Sequence, residues 1–191
     1  MNKKQLLDFN EEIIELYESG KIKAPVHFSG GNEEKLIDLF KEVKSEDWIL
    51  STWRNHFHWL LSGRDKEDLK KQILEGNSMQ VCGDKFLTSS IVGGIAPIGL
   101  GIALAKCFSQ DKKGIVWVFV GDGAYHCGVV QECIRYASGF NLPIVFVLEN
   151  NGLQVRANTK ETWGFEEKIK VHKYNYKRKY PHAGSGNYVM F

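Results

Sequence analysis

Apolar residues Leu6, Phe9, Ile13, Leu16 and Tyr17 recur at helical spacing among charged neighbours, and Gly20 follows where such a helix would stop. The pattern predicts an amphipathic opening helix. Pro25 to Glu33 reads as a loop, and Glu34 to Val43, with Leu36, Ile37, Leu39, Phe40 and Val43 apolar, reads as a second helix. Residues 115–120, Ile-Val-Trp-Val-Phe-Val, form a continuous apolar, β-rich run that suits a strand covered on both faces. The run stops at Gly121-Asp122-Gly123-Ala124. A helical stripe follows from Gly128 to Ser138 on Val129, Val130, Cys133, Ile134 and Ala137, and residues 143–148 read as a second buried strand. Strand, loop, helix, strand is a βαβ unit, so the expected fold is α/β, a doubly wound and mostly parallel sheet. Upstream, Gly93 to Pro97 leads into a helix carrying Gly99, Gly101, Ala103 and Ala105, a small-residue series that predicts close backbone packing. The same glycines superficially suggest a dinucleotide loop, but they follow a proline-led helix start instead of a strand, and no acidic ribose partner is evident.

Composition narrows the function classes. The chain has 191 residues, 43% of them hydrophobic and 12% aromatic, enough for one well-packed domain, expected over residues 1–165. With 25 basic and 23 acidic residues, the net charge of +2 creates no global field calling for nucleic acid or an anionic membrane. The opening residues turn acidic at Asp8 instead of continuing into an apolar leader, and no segment approaches a bilayer-spanning length, so a cytoplasmic protein without membrane contact is expected. Cys82, Cys107, Cys127 and Cys133 lack zinc-ligand spacing, which favours free buried thiols.

In open parallel sheets, ligands bind beyond the carboxyl ends of the strands. Gly121-Asp122-Gly123 closes one strand and Glu149-Asn150-Asn151-Gly152 the next, so both polar clusters are expected on one edge. Aspartate and asparagine are hard oxygen donors, suited to a magnesium ion that shares its shell with a diphosphate. Gly121 and Gly123 let the main chain approach a phosphate, and Ala124 adds an amide donor.

These residues carry a resemblance. Gly121-Asp122-Gly123-Ala124, followed 29 positions after Asp122 by Asn151, is similar to the thiamine-diphosphate motif of the alpha subunits of 2-oxo acid dehydrogenases, the pyruvate dehydrogenase family and its transketolase-type relations. Three further segments agree in order. His27 through Glu33 resembles the family's HxxxGQE, Ser51 to His58 its STYRGHGH, and Ser90 to Gly93 its GIVG. The resemblance implies that Asp122, the side chain of Asn151 and the backbone carbonyl of Leu153 ligate Mg2+. It implies that Gly121, Gly123 and Ala124 contact the diphosphate of thiamine diphosphate, with Trp53 and Arg54 beside it, and that Ser90 and Val92 meet the aminopyrimidine. His56 and His58 match active-site histidines, and His182 is a candidate to replace a loop histidine. The chain departs from the pattern where Gln80 stands for a histidine, Asn32 for glutamine and Trp53 for tyrosine.

By the same resemblance, the glutamate that activates the cofactor sits on a beta-like partner with the pyrimidine-binding domain, for which 191 residues leave no room, giving an α2β2 heterotetramer. An acyltransferase or other acceptor protein would take the product. Two alternatives stand beside this: the N-terminal subunit of a split transketolase, and a non-catalytic relative that binds the cofactor or regulates. Residues 166–191 interleave Lys168, Lys170, Lys173, Lys177, Arg178 and Lys179 with tyrosines and end on an apolar run, which reads as a partner-docking tail more than a single-strand nucleic-acid grip.

Overall fold

The computed structural model describes residues 1–109 and 113–164. Helices α1 (Lys3–Glu18) and α2 (Glu33–Leu39) lead into β1 (Trp48–Ser51), α3 (His56–Leu61) and α4 (Lys66–Leu74). Strands β2 (Cys82–Gly83) and β3 (Phe86–Thr88) precede α5 (Ile95–Phe108) and β4 (Val116–Gly121). The short α6 (Asp122–Tyr125), α7 (Gly128–Gly139) and β5 (Ile144–Glu149) follow, then the hairpin β6 (Leu153–Gln154) and β7 (Ala157–Asn158), and α8 (Thr159–Trp163).

The main sheet has the order β2-β3-β1-β4-β5, with β2 antiparallel and the other neighbours parallel. Side chains alternate across a strand, and β4 separates the two cores accordingly. Trp117 and Phe119 join Phe9, Ile13, Leu36, Phe57 and Leu69 from the helices α1 to α4 on one face. Val116, Val118 and Val120 join Ile95, Ala103, Val130 and Cys133 from α5 and α7 on the other. Both faces of the strand are therefore dry, and the expected doubly wound sheet is what forms. Close packing on the second face needs Gly99, because a Cβ there would stand 2.4 Å from Val118 Cγ2.

Helix ends follow local chemistry. Asn2 opens α1 with a capping box, its side chain accepting from the Gln5 amide while Gln5 returns a bond to the Asn2 amide. Gly20, at φ +72°, ends the segment just past Ser19. Lys66 and Lys70 of α4 both pair with Glu12, tying α4 to α1. Between α2 and β1, the buried Asp47 accepts from the amides of Lys44 and Ile115 and from Trp117 Nε1 at 2.9 Å, bracing the entry to two adjacent strands.

Four expectations need correction. The second helix spans only Glu33–Leu39, shorter than the apolar pattern from 34 to 43. Among the described residues strand β5 is the last of the main sheet and is not buried on both faces, Val145 and Leu148 being 37% and 41% exposed. Of the small residues in α5, Gly99 and Ala103 are packed, whereas Gly101 meets nothing within 4 Å and Ala105 is exposed. The cysteines are free, but only Cys133 is buried, with Cys82 and Cys107 exposed, because α7 turns Cys133 inward while the other two lie near element ends. Among the described residues no helix is long and apolar enough to cross a membrane.

Candidate functional site

The β4–β5 register pairs Gly121 with Glu149, so the two polar clusters leave the sheet side by side at the carboxyl ends of their strands. Asp122 follows at once as the first residue of α6 and is 4% exposed. Its Oδ2 accepts a hydrogen bond from Thr159 Oγ1 at 2.5 Å. Asn151 is exposed, and its Oδ1 accepts from the Leu153 amide at 2.9 Å, while Asn150 Oδ1 accepts from the Gly152 amide. These bonds hold a tight turn whose corner, Gly152, has φ +75°. Beside Asp122, a Cβ on Gly123 would stand 2.7 Å from Gln154 Cγ, so only glycine lets β6 seat there. At Gly121 a Cβ would meet nothing within 4 Å, which leaves the mouth of the turn open.

Below the turn a polar chain crosses the sheet. Ser51 Oγ, at the end of β1, lies 3.1 Å from His58 Nδ1, and His58 Nε2 faces Glu149 Oε1 at 3.4 Å. Asn32 Nδ2 donates to the same Glu149 oxygen at 3.2 Å. The His58 ring packs against the stacked pair Phe40 and Phe119, with centroids 5.9 and 4.3 Å away. His56 is equally enclosed, with Nε2 3.0 Å from Ser78 Oγ and its ring edge-on to Phe9. Burial pushes the His56 imidazole down to about 4, so it is neutral at pH 7. Both rings are 0% exposed and packed among core side chains. The reason is topological: α3 follows β1 so closely that its inner face must turn into the core. His182 lies outside the described residues.

The remaining expected residues follow the carboxyl ends of β1 and β3, strands that run parallel with β4. Trp53 is half-buried with its ring 6.0 Å from that of His27, and burial, with the charge of Arg54, lowers the His27 titration below its usual range. Arg54 is exposed and donates through Nη1 to the Phe28 carbonyl at 2.7 Å. Ser90 is half-buried, and Gln80, the residue standing for a histidine, reaches its hydroxyl at 3.5 Å. Val92 is 51% exposed and Ile91 72%, on a loop anchored where Gly93, at φ +75°, packs on Val129. Among the described residues no three His, Cys, Asp or Glu side chains cluster to hold a metal. A cation at this edge would rest on one carboxylate and neutral oxygens.

The structure thus joins Asp122 to the Asn151 segment by strand register, and it adds residues that sequence reasoning passed over. Glu149 has a visible signal, an acid at a strand end before two asparagines. Ser51 and Asn32 lie inside quoted motifs but carried no assigned role. Thr159 gave no signal, since nothing in the chain marks a threonine 37 positions after Asp122 as its neighbour.

Comparison with known proteins adds three findings. The family model described as dehydrogenase E1 component matches residues 1–169. The alpha subunit of acetoin:2,6-dichlorophenolindophenol oxidoreductase of Bacillus subtilis is 32% identical over 160 residues, covering 78% of this chain and 48% of the relative. The pyruvate dehydrogenase E1 component subunit alpha of Rickettsia prowazekii is 32% identical over 155 residues, covering 75% of this chain and 47% of the relative. This chain spans about half the length of the curated relatives it matches.

Proposed function

We propose, from the premise that this chain belongs to the dehydrogenase E1 component family, that it is the alpha-like subunit of a two-component thiamine-diphosphate enzyme acting on a 2-oxo compound. One observation carries the reading: the register of β4 on β5 sets the Asp122 carboxylate next to the Asn151 turn at the sheet edge where ligands of parallel sheets bind. In this reading Asp122, the amide oxygen of Asn151 and the carbonyl of Leu153 hold Mg2+. A single carboxylate with neutral oxygens fits magnesium, which completes its octahedron with water and phosphate oxygens.

When bound, the cofactor supplies a nucleophilic carbon and an electron sink for the carbanion. This chain supplies position. The amides of Gly123 and Ala124, with the open face at Gly121, receive the diphosphate. Arg54, exposed after β1, offers a guanidinium to phosphate oxygens, next in sequence to Trp53, whose ring is tilted against that of His27. Ser90 and the exposed Val92 meet the aminopyrimidine. His56 and His58 serve as framework: each hydrogen-bonds a serine, Ser78 and Ser51, and His58 also lies 3.4 Å from the Glu149 carboxylate. The activating glutamate comes from a beta-like partner, in an α2β2 assembly in the cytoplasm, and the acyl or two-carbon unit passes to an acceptor protein or molecule.

Calorimetry tests the metal assignment. Asp122→Ala and Asn151→Ala are expected to abolish magnesium-dependent binding of thiamine diphosphate; the exposed Asn151→Ala should melt near wild type, whereas Asp122→Ala, which leaves the buried Thr159 hydroxyl without its acceptor, should melt lower but stay folded. Unchanged affinity in both variants refutes it. Mixing this chain with a candidate partner, and assaying 2-oxo acid decarboxylation against ketol transfer, then identifies the substrate class.

A further inference from the structure

The two halves of the proposed metal site come from different strands, and one residue touches both. Thr159 Oγ1 donates to Asp122 Oδ2 at 2.5 Å, with Thr159 5% and Asp122 4% exposed. The Thr159 amide donates to the Gly152 carbonyl at 3.0 Å, the residue directly after Asn151. Its own backbone is held in turn, because Asn158 caps α8 by accepting from the amides of Lys160 at 2.9 Å and Glu161 at 3.3 Å.

A carboxylate torsion is broad and nearly two-fold, so Asp122 alone would not fix which oxygen faces outward. A short O–H···O⁻ bond removes that freedom. With Oδ2 committed to Thr159, Oδ1 is the oxygen left for a cation, and the hydrogen bond from the Thr159 amide to the Gly152 carbonyl keeps the Asn151 turn beside it.

We propose that Thr159 is the positioning residue of this metal site, orienting the Asp122 carboxylate and tying it to the Asn151 turn; the proposal rests on the magnesium reading given above. Valine at this position keeps the shape and the amide but removes the hydroxyl. Partners of metal ligands typically account for about 10- to 100-fold in metal affinity.

The test titrates Mn2+ into the full chain with thiamine diphosphate, following free Mn2+ by electron paramagnetic resonance and cofactor binding by calorimetry. In Thr159→Val the Mn2+ needed for half-saturation is expected to rise about tenfold or more. Thr159→Ser, which restores the hydroxyl, is expected to return close to wild type, a recovery that a merely structural role would not give. Circular dichroism establishes folding, and if the valine variant melts early, Thr159→Ala carries the same comparison. Wild-type Mn2+ affinity in a folded Thr159→Val or Thr159→Ala overturns the proposal while Asp122→Ala still loses binding. If Asp122→Ala also binds normally, or the wild-type chain takes up no Mn2+ with the cofactor, the magnesium reading fails and the proposal with it.

Discussion

Acidifying the protein from pH 7 to pH 5 should destabilise it largely through one ring. His56 is fully enclosed, against Phe9 and Ser78, and burial lowers its titration from 6.5 to about 4. The unfolded chain therefore takes up the proton first as pH falls. Stability is fully present above the unfolded value of 6.5, is lost progressively between 6.5 and about 4, and changes no further on this account below that. Linkage with those two values gives a loss of about 2 kcal/mol at pH 5 relative to pH 7, approaching ~3 kcal/mol near pH 4. The assay is urea unfolding of wild type and His56→Gln at both pH values. Glutamine keeps a polar group facing Ser78 but cannot titrate, so its loss should be smaller by about that 2 kcal/mol. The lowered titrations of His27 and of Glu12, the latter held down by Lys66 and Lys70, act in the same direction and are common to both proteins. Equal losses in wild type and His56→Gln would refute the argument, since the burial of this ring would then carry no pH dependence.

Two substitutions probe the scaffold that holds the site. Gly99→Ala places a methyl 2.4 Å from Val118 Cγ2 and should destabilise by about 1–3 kcal/mol through overpacking, read as a lower urea midpoint with an unchanged slope. The nearby Gly101→Ala, with nothing within 4 Å, should be neutral or slightly stabilising in the same experiment. Asp47→Ala leaves the amide of Ile115 and Trp117 Nε1 without their partner at the entry to β4, and at roughly 1–3 kcal/mol for each buried orphan donor a marked drop in the thermal midpoint is expected.

Much of this protein is legible in the order of its residues. The run from 115 to 120 is apolar at every position because β4 is covered on both faces, and a strand of that kind, a helix and a second strand leave few topologies open. The Gly-Asp-Gly turn and the two asparagines could be read as one edge for the same reason: parallel strands in register bring their carboxyl ends together. Short elements were not legible. The four residues of β1 and the three of β3 are too brief for periodicity to mark, yet they form the middle of the sheet.

What tertiary structure alone decided is where the polar side chains point. A histidine in a motif looks the same whether it faces a ligand or the core. Here the close passage from β1 to α3 turns His56 and His58 inward, and aromatic rings close over them. The apolar run of β5 resembles that of β4, but among the described residues no strand pairs with its outer side, and Val145 and Leu148 are partly in solvent. Likewise nothing local assigns Thr159 to Asp122, because a hydrogen bond over 37 residues depends on how a hairpin folds back over a strand end. Hydrophobic pattern specifies elements through short-range periodicity, whereas a site is built from long-range contacts, and those exist only once the sheet has set the strand ends side by side.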